Sequence, residues 1–378
     1  MVVVLNGVLA DECPTSVRAL LAAHPGYRDA AAQLLAAAAR VIGPQGLLYV
    51  AQRELAAVVP HDKNVNIIGS DDATSCIIVV IRHAGSGAVA LAHLDGSGTA
   101  EAAAAMVSRV QQLAVGYPEG RLELQLVGGF TDPHRYSDDL FGNIMLSFHR
   151  LTVEIDLTLA CCCELNTALG GGSPAPLVTG VGVDIRAGDL FPATFPDKGP
   201  ECPLRGARTI TGGPHSVLDI YDNGVGMLRI GPFNYDPLRG ADLWLEQSDD
   251  FILQHLSTTP AVEAPHFVHN VSITSLYATY RSVQLRHTPR CRPLFRVNRF
   301  LFLFLDDPVG TMVTMPDCQT QGSIPASDKY LCLDICLWSV WSLCQLGRPI
   351  FMLDSPFIEE GYRLLFILIF PRDRYIRG

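Results

Sequence analysis

In the stretch Ser70-Asp-Asp-Ala-Thr-Ser-Cys76 a thiol stands at the entrance to an apolar run, and a histidine, His93, sits on the next apolar run. A thiolate is a strong nucleophile, and imidazole is the side chain suited to taking the thiol proton near neutral pH. Together they fit attack on an acyl or amide carbon through a covalent intermediate. Asp95 offers a carboxylate and Ser70 a hydroxyl, and either can orient the imidazole.

Bringing thiol and imidazole together requires the two runs to pair. Ala84-Gly-Ser-Gly87 separates them, and Gly-Ser at its centre is a two-residue hairpin signal. With Gly85-Ser86 as the loop, Ile78 faces His93 and Cys76 faces Asp95. Side chains alternate along a strand, so Cys76 shares the face of Ile78, with His93 diagonal to it. That diagonal is roughly 7–8 Å between backbone positions, within reach of an imidazole. Ala88, Ala90 and Ala92 occupy the opposite face, where small side chains admit a helix, and Ala100–Val115 is the candidate. Each feature also has a plain structural reading. A cysteine opening an apolar strand is more often a core filler, Ser70 more often a cap, and Asp71-Asp72 a solvated turn.

The elements that must position these residues read as an α+β body with helices on one side of a sheet. Arg18–Arg40 reads as one alanine- and leucine-rich helix ending before Gly43-Pro44. Strands are predicted at 46–51, 66–69, 76–82, 88–94, 122–127, 157–165, 177–185, 217–221 and 227–230, with a further helix over 136–150. The 378 residues carry a formal charge of −10 and are 48% hydrophobic, which describes an acidic, soluble globular protein able to bury a large core. No basic stripe is present, so nucleic acid is not an expected partner. The opening Met1-Val-Val-Val-Leu-Asn lacks a positive n-region and soon meets Asp11-Glu12, so no signal peptide is expected. A cytoplasmic monomer follows, and nuclear residence also suits a chain of 41.0 kDa. Of the eleven cysteines, Cys161-Cys162-Cys163 read as small apolar residues of a buried strand. None has paired zinc spacing, so no metal or cofactor is expected.

Character changes near residue 270. The body, 1–269, gives way to a tail, 270–378, rich in Arg, Cys, Phe and Leu, whose apolar bursts such as Phe300–Leu305 and Leu364–Phe370 lack helical or alternating order. The longest uncharged stretch there, Ile335–Gly347, falls short of the roughly 20 residues of a membrane span. The tail is expected to be poorly ordered.

Longer phrases add a resemblance. They are Val41–Val50, Gln52–Ala56, Gly69–Thr74 with Cys76, Ile78–Val80 with Arg82-His83, His93, Asp95-Gly96, Leu126–Phe130, Glu164–Asn166, Ala207–Thr209, Gly212–Pro214 and Pro265–Val268. In this order the chain closely resembles the protein N-terminal asparagine amidohydrolase family, deamidases of the eukaryotic N-degron pathway; the matching phrases stop near His269. The motif is also similar to chemotaxis-receptor deamidases and necrotizing-factor toxins. That similarity implies an α-β-β sandwich of the chemotaxis-deamidase/necrotizing-factor-like cysteine hydrolase type, with a Cys, His, Ser/Thr triad. It assigns Cys76, His93 and Ser70 as catalytic and favours Ser70 over Asp95 as the orienter of His93.

The resemblance implies that 1–269 is the amidohydrolase domain and that 270–378 lies outside the family. The substrate implied is a protein or peptide with a free N-terminal asparagine, deamidated to aspartate through a thioester. Asp95, Ser75, Glu164 and Asn166 are the candidate substrate-binding residues. Gly128-Gly129 and Gly212-Gly213 read equally as turns or as backbone that substrate approaches. Two rival readings stay open: a deamidase of internal Gln or Asn, and a catalytically inactive variant because the family's own C-terminus is replaced.

Overall fold

The computed structural model describes residues 3–10, 12–170, 173–199, 201–202, 205–206, 216–229, 243, 246–272 and 275, with strand segments at 294–296, 350–354 and 365–369. Two compact units are present, residues 1–289 with 294–301 and residues 290–293 with 302–378. The tail's expected disorder concerns residues that lie almost wholly outside the described set.

An eight-stranded sheet organises the first unit. At its centre β7 (Ile77–His83) runs antiparallel to both β8 (Val89–Leu94) and β9 (Leu122–Gly128). Beyond β8 lie β5 (Glu54–Val58) and the short β15 (Leu218–Asp219). Beyond β9 lie β10 (Ile155–Cys162), β1 (Val3–Leu5) and β2 (Val8–Leu9). The run Ile77-Ile-Val-Val-Ile81 is β-branched throughout, which suits extended backbone, and it does not alternate because both of its faces are covered.

One face meets a helix layer. Ile77, Val79, Ile81, Ala88, Ala90 and Ala92 pack with Ala102, Ala103 and Met106 of α3 (Thr99–Leu113). The same cluster takes Val17 and Leu20 of α1 (Val17–Ala23), and Phe141 and Phe148 of α4 (Tyr136–His149). The other face, with Ile78, Val80, Val89 and Leu91, packs on a second, five-stranded sheet. That sheet is ordered β3 (Arg40–Val41), β14 (Leu190–Thr194), β13 (Val181–Asp184), β6 (Ile67–Ser70), β4 (Leu47–Tyr49). Ala31 and Leu34 of α2 (Tyr27–Ala36) join this second core. The fold is therefore mixed α+β, with helix, sheet and sheet stacked in that order.

Smaller pieces complete the description: a hairpin of β11 (Thr167–Gly170) and β12 (Ser173–Pro176), a sheet of β16 (Tyr221–Asp222), β17 (Met227–Arg229) and β18 (Leu294–Arg296), and α5 (Asp249–Leu256), whose cap Ser248 Oγ accepts from Phe251 N at 3.3 Å. In the second unit β19 (Ile350–Asp354) pairs antiparallel with β20 (Leu365–Ile369). Among the described residues no helix is long and apolar enough to cross a membrane.

The hairpin register is the expected one, with Ile78 opposite His93. Its loop differs. Ladder bonding closes at His83 N to Ala88 O, 2.8 Å, so the connection is Ala84–Gly87, not Gly85-Ser86 alone. Retracting one residue on each strand removes a single pair and leaves every remaining pair unchanged. The single helix expected over Arg18–Arg40 is instead α1 and α2, parted at His24-Pro25-Gly26. Before proline the helical region is disfavoured, and His24 duly leaves it (φ −135°, ψ 74°). The strand expected to reach Leu165 stops at Cys162, where a 3-10 turn, Cys163–Asn166, takes over.

Candidate active site

Ser70 ends β6 in the second sheet, and His93 lies on β8 of the central sheet. Where the two sheets meet, Ser70 Oγ and His93 Nδ1 are 2.8 Å apart, with the residues 0% and 3% exposed. The other ring nitrogen, Nε2, is buried and has no partner among the described residues. Burial pulls the imidazole down to about 4, against the opposing pull of Asp72 and Asp95. His93 is thus a neutral base at pH 7, and with Nδ1–H donated to Ser70 its Nε2 lone pair is available.

Cys76 is a free, half-buried thiol in the bend before β7, packed against the core between the sheets. It therefore shares the face that carries His93. Burial pushes the thiol well above its usual range, Asp95 and Glu263 push the same way, and Arg53 opposes them. The resting pair is neutral thiol beside neutral imidazole rather than an ion pair.

The loop between Ser70 and Cys76 is bound on all sides. Asp71 accepts from Tyr49 Oη (2.9 Å) and Lys198 Nζ (2.6 Å) on one oxygen and from Phe195 N (2.8 Å) on the other. Asp72 adopts a left-handed φ of 61° and binds both Lys198 and His266 Nε2, the latter at 3.0 Å. Burial works against both charges. It leaves the Asp71 carboxyl raised with Asp72 beside it, while Lys198 and His266 hold Asp72 below the ordinary value. Ala73 N donates to Thr179 O at 2.9 Å, and Ser137 Oγ donates to Ser75 O at 3.3 Å from the first turn of α4.

Gly128 closes the far side. It has a φ of 120°, and a Cβ there would lie 2.7 Å from the Cys76 carbonyl oxygen. The Gly128→Ala substitution is expected to cost about 1–3 kcal/mol and to displace Cys76. A lowered thermal midpoint together with an altered Cys76 alkylation rate is the expected result; an unchanged alkylation rate would show that the contact does not set the thiol's position.

The other expected site residues fare differently. Asp95 does not reach His93: its oxygens take Arg53 Nε (2.6 Å), Gln52 Nε2 (2.7 Å) and Ser97 N (2.9 Å). Ser75 Oγ lies 3.1 Å from Thr258 Oγ1. Asn166 is fully buried and bonded to Gly129 O, Val178 O and Val178 N, each at 2.8 Å, so its amide is used within the fold. Glu164 turns toward α1, 3.5 Å from Arg18 Nε. Gly212-Gly213 lie outside the described residues. Among the described residues no group of three or more His, Cys, Asp or Glu side chains is placed to hold a metal ion.

Residue patterning missed Lys198, Glu263 and the ion pair of Glu54 with Arg205. Lys198 in Pro-Asp-Lys-Gly reads as a solvated turn, and only its contacts with Asp71 and Asp72 reveal its use. His266 lies in a phrase that carries the family resemblance but had no role until its contact with Asp72 was seen.

The family described as Protein N-terminal asparagine amidohydrolase matches residues 37–296. The chain is similar to the protein of that name from Sus scrofa, 42% identical over 264 residues that cover 70% of this chain and 84% of the pig protein. It is 39% identical to the Homo sapiens protein over 288 residues, 76% of this chain and 90% of the human one. Against the Mus musculus protein the identity is 41% over 264 residues, 70% and 84% of the two chains. The match to residues 37–296 includes Ser70, Cys76 and His93 and the segment that carries Glu263 and His266, and on that match the chain belongs to the protein N-terminal asparagine amidohydrolase family.

Proposed function

We propose that this chain hydrolyses the side-chain amide of an N-terminal asparagine, as the names of its relatives state for them, yielding N-terminal aspartate and ammonia. The observation that carries this reading is His93, with Nδ1 on Ser70 at 2.8 Å, Nε2 buried without a partner, and Cys76 on the same face. In the proposed cycle Nε2 takes the Cys76 proton as sulfur bonds to the amide carbon. The tetrahedral oxyanion is received by backbone N–H groups at Ser75 and Cys76. His93 then protonates the departing nitrogen, the C–N bond breaks, and ammonia leaves a thioester. Water, deprotonated by His93, attacks the thioester; the C–S bond breaks, sulfur recovers its proton, and the side chain leaves as a carboxylate. Ser70 fixes the imidazole and does not itself transfer a proton to substrate.

The layer order of helix, sheet and sheet supports assigning the chain to the chemotaxis-deamidase/necrotizing-factor-like sandwich type. On this reading the catalytic body includes everything the family match reaches, to residue 296 rather than the expected 269, the appended tail begins beyond it, and the protein is a monomer acting in the cytoplasm and nucleus. Its product, a new acidic N-terminus, feeds N-degron-dependent degradation.

Ammonia release from three short peptides tests the reaction: one beginning with Asn, one with Gln, and one with N-acetyl-Asn. Release from the free Asn peptide alone is expected. A folded protein that modifies only internal residues would favour the internal deamidase, and one that releases nothing at all would favour the inactive variant.

The pH dependence has a definite sign. Because burial holds His93 near 4, the acid limb of kcat/KM is expected below the ordinary histidine value, toward about 4. The alkaline limb is expected near 8, where a substrate α-amine loses its charge. Linkage runs the same way. The folded pKa lies below the unfolded one, so His93 contributes stability that is full above about 6.5 and lost as pH falls toward 4, at most roughly 3 kcal/mol. An acid limb at 6.5 or above would contradict a buried neutral base.

A further inference from the structure

A free α-ammonium distinguishes an N-terminal asparagine from an internal one, so the site needs a group that reads it. In asparagine that nitrogen and the amide carbon are separated by only Cα and Cβ, which limits their spacing to about 4 Å. The reader must therefore stand beside the Cys76 thiol. Two carboxylates, Asp95 and Glu263, act on the thiol.

They are not equivalent. Asp95 already has its cation, Arg53 at 2.6 Å, and Gln52 and Ser97 N occupy two more of its acceptor positions. Glu263 forms no ion pair among the described residues; His266, bound to Asp72, acts on it only from further off. Its Oε1 accepts from Ser257 Oγ and lies 3.3 Å from Thr259 Oγ1, while Oε2 accepts nothing among the described residues. Thr259 Oγ1 is also 3.2 Å from Thr74 Oγ1, two residues before the nucleophile. Thr259 Oγ1 has one proton and is the donor on both sides, so that proton is shared between Thr74 Oγ1 and Glu263 Oε1. Ser75 with Thr258, and Asp72 with His266, tie the same segment to the same loop. Burial holds the Glu263 carboxyl above its ordinary value, with the two hydroxyls and His266 pulling down and Asp72 pushing up; a cation arriving at Oε2 would favour its charged form.

We propose that Glu263 is the residue that binds the substrate's free α-ammonium, through Oε2, and so restricts the enzyme to chain termini. The assignment rests on the amidase reading above. It also gives a reason for side-chain length to matter. With ammonium fixed on Glu263 and the thiol fixed on its loop, the extra methylene of glutamine carries its amide carbon past the sulfur.

The test compares an Asn-initiated peptide with its 3-carbamoylpropanoyl counterpart, identical except that the α-amine is absent. The quantity read is the ratio of kcat/KM for the two, taken on one preparation so that the active fraction cancels. Wild type is expected to favour the amine strongly. In Glu263→Gln, which can still accept from Ser257 and Thr259, the ratio is expected to fall about ten- to a hundredfold. Should that variant turn over too slowly, Kd values for both peptides in a Cys76→Ala background, with and without Glu263→Gln, report the same contrast. A ratio within twofold of wild type overturns the assignment and leaves the amidase reading intact. Wild type that cleaves neither peptide overturns both.

Discussion

Cys76→Ala is expected to lower ammonia release from an Asn-initiated peptide by roughly ten-thousandfold or more, with little change in thermal midpoint. The thiol is half-buried and makes no hydrogen bond among the described residues that alanine would orphan, so folding has little reason to respond. On the proposed cycle catalysis must respond, because the bond to the amide carbon cannot form. His93→Ala should cost a comparable factor, and the double variant little more than either single one, since base and nucleophile act as a unit. Ser70→Ala should be milder, about ten- to a hundredfold, because it frees a tautomer and a ring orientation rather than removing a reacting atom. Asp95→Asn tests the alternative orienter. Its oxygens hold Arg53, Gln52 and Ser97 rather than His93, so a loss larger than that of Ser70→Ala would reverse the assignment of Ser70. Retained turnover in Cys76→Ala would place the nucleophile elsewhere.

The second large effect concerns stability. Arg205 and Glu54 are each 2% exposed, and their side chains meet twice, at 2.6 and 3.1 Å. Arg205 also donates to Tyr49 O at 2.8 Å and to Glu201 Oε1 at 3.0 Å, so one guanidinium ties β4 and β5 to Glu201. Arg205→Met leaves Glu54 buried without its cation and is expected to cost about 3–5 kcal/mol. Removing both charges, as in Glu54→Leu with Arg205→Met, should recover most of that, because desolvation of the pair offsets its attraction. Urea midpoints of the two variants settle the point: a single substitution no worse than the double would mean that the ion pair does not hold this part of the fold. Catalysis adds a second readout. Glu54 stands opposite His93 in the register and favours the charged imidazole, so the single variant should move the acid limb upward.

The site's skeleton was legible because it is local. The β-branched run of β7, the alanines of β8 and the even-length connection between them dictate which residues share a face, and shortening the ladder by one pair does not alter that. The neighbouring strand β5 was not legible: Glu54-Leu-Ala-Ala-Val58 has weak strand propensity and becomes extended only because β8 and β15 flank it. The supports of the catalytic loop were hidden for a different reason. Lys198 is 126 residues from Asp72 and His266 is 194, and no periodicity reports contacts of that range. Asn166 shows the reverse error: a polar residue in a family phrase suggested substrate binding, whereas its amide is consumed by Gly129 and Val178.

The clasp of Thr258, Thr259, Glu263 and His266 on the nucleophile loop also orders events in time. Asp72 leaves the ribosome 194 residues before the histidine that secures it. At about 5–20 residues per second this is roughly 10–40 s during which the nascent chain holds Ser70, Cys76 and His93 but not the strap that completes their loop. Ribosome-stalled chains ending before residue 257 should therefore lack the amidase activity that appears once residue 266 has cleared the exit tunnel. If Cys76 is the nucleophile as proposed, an enzyme finished this late in its own synthesis would be kept from acting on newly exposed N-termini around it, and activity in the shorter stalled chains would show that no such delay exists.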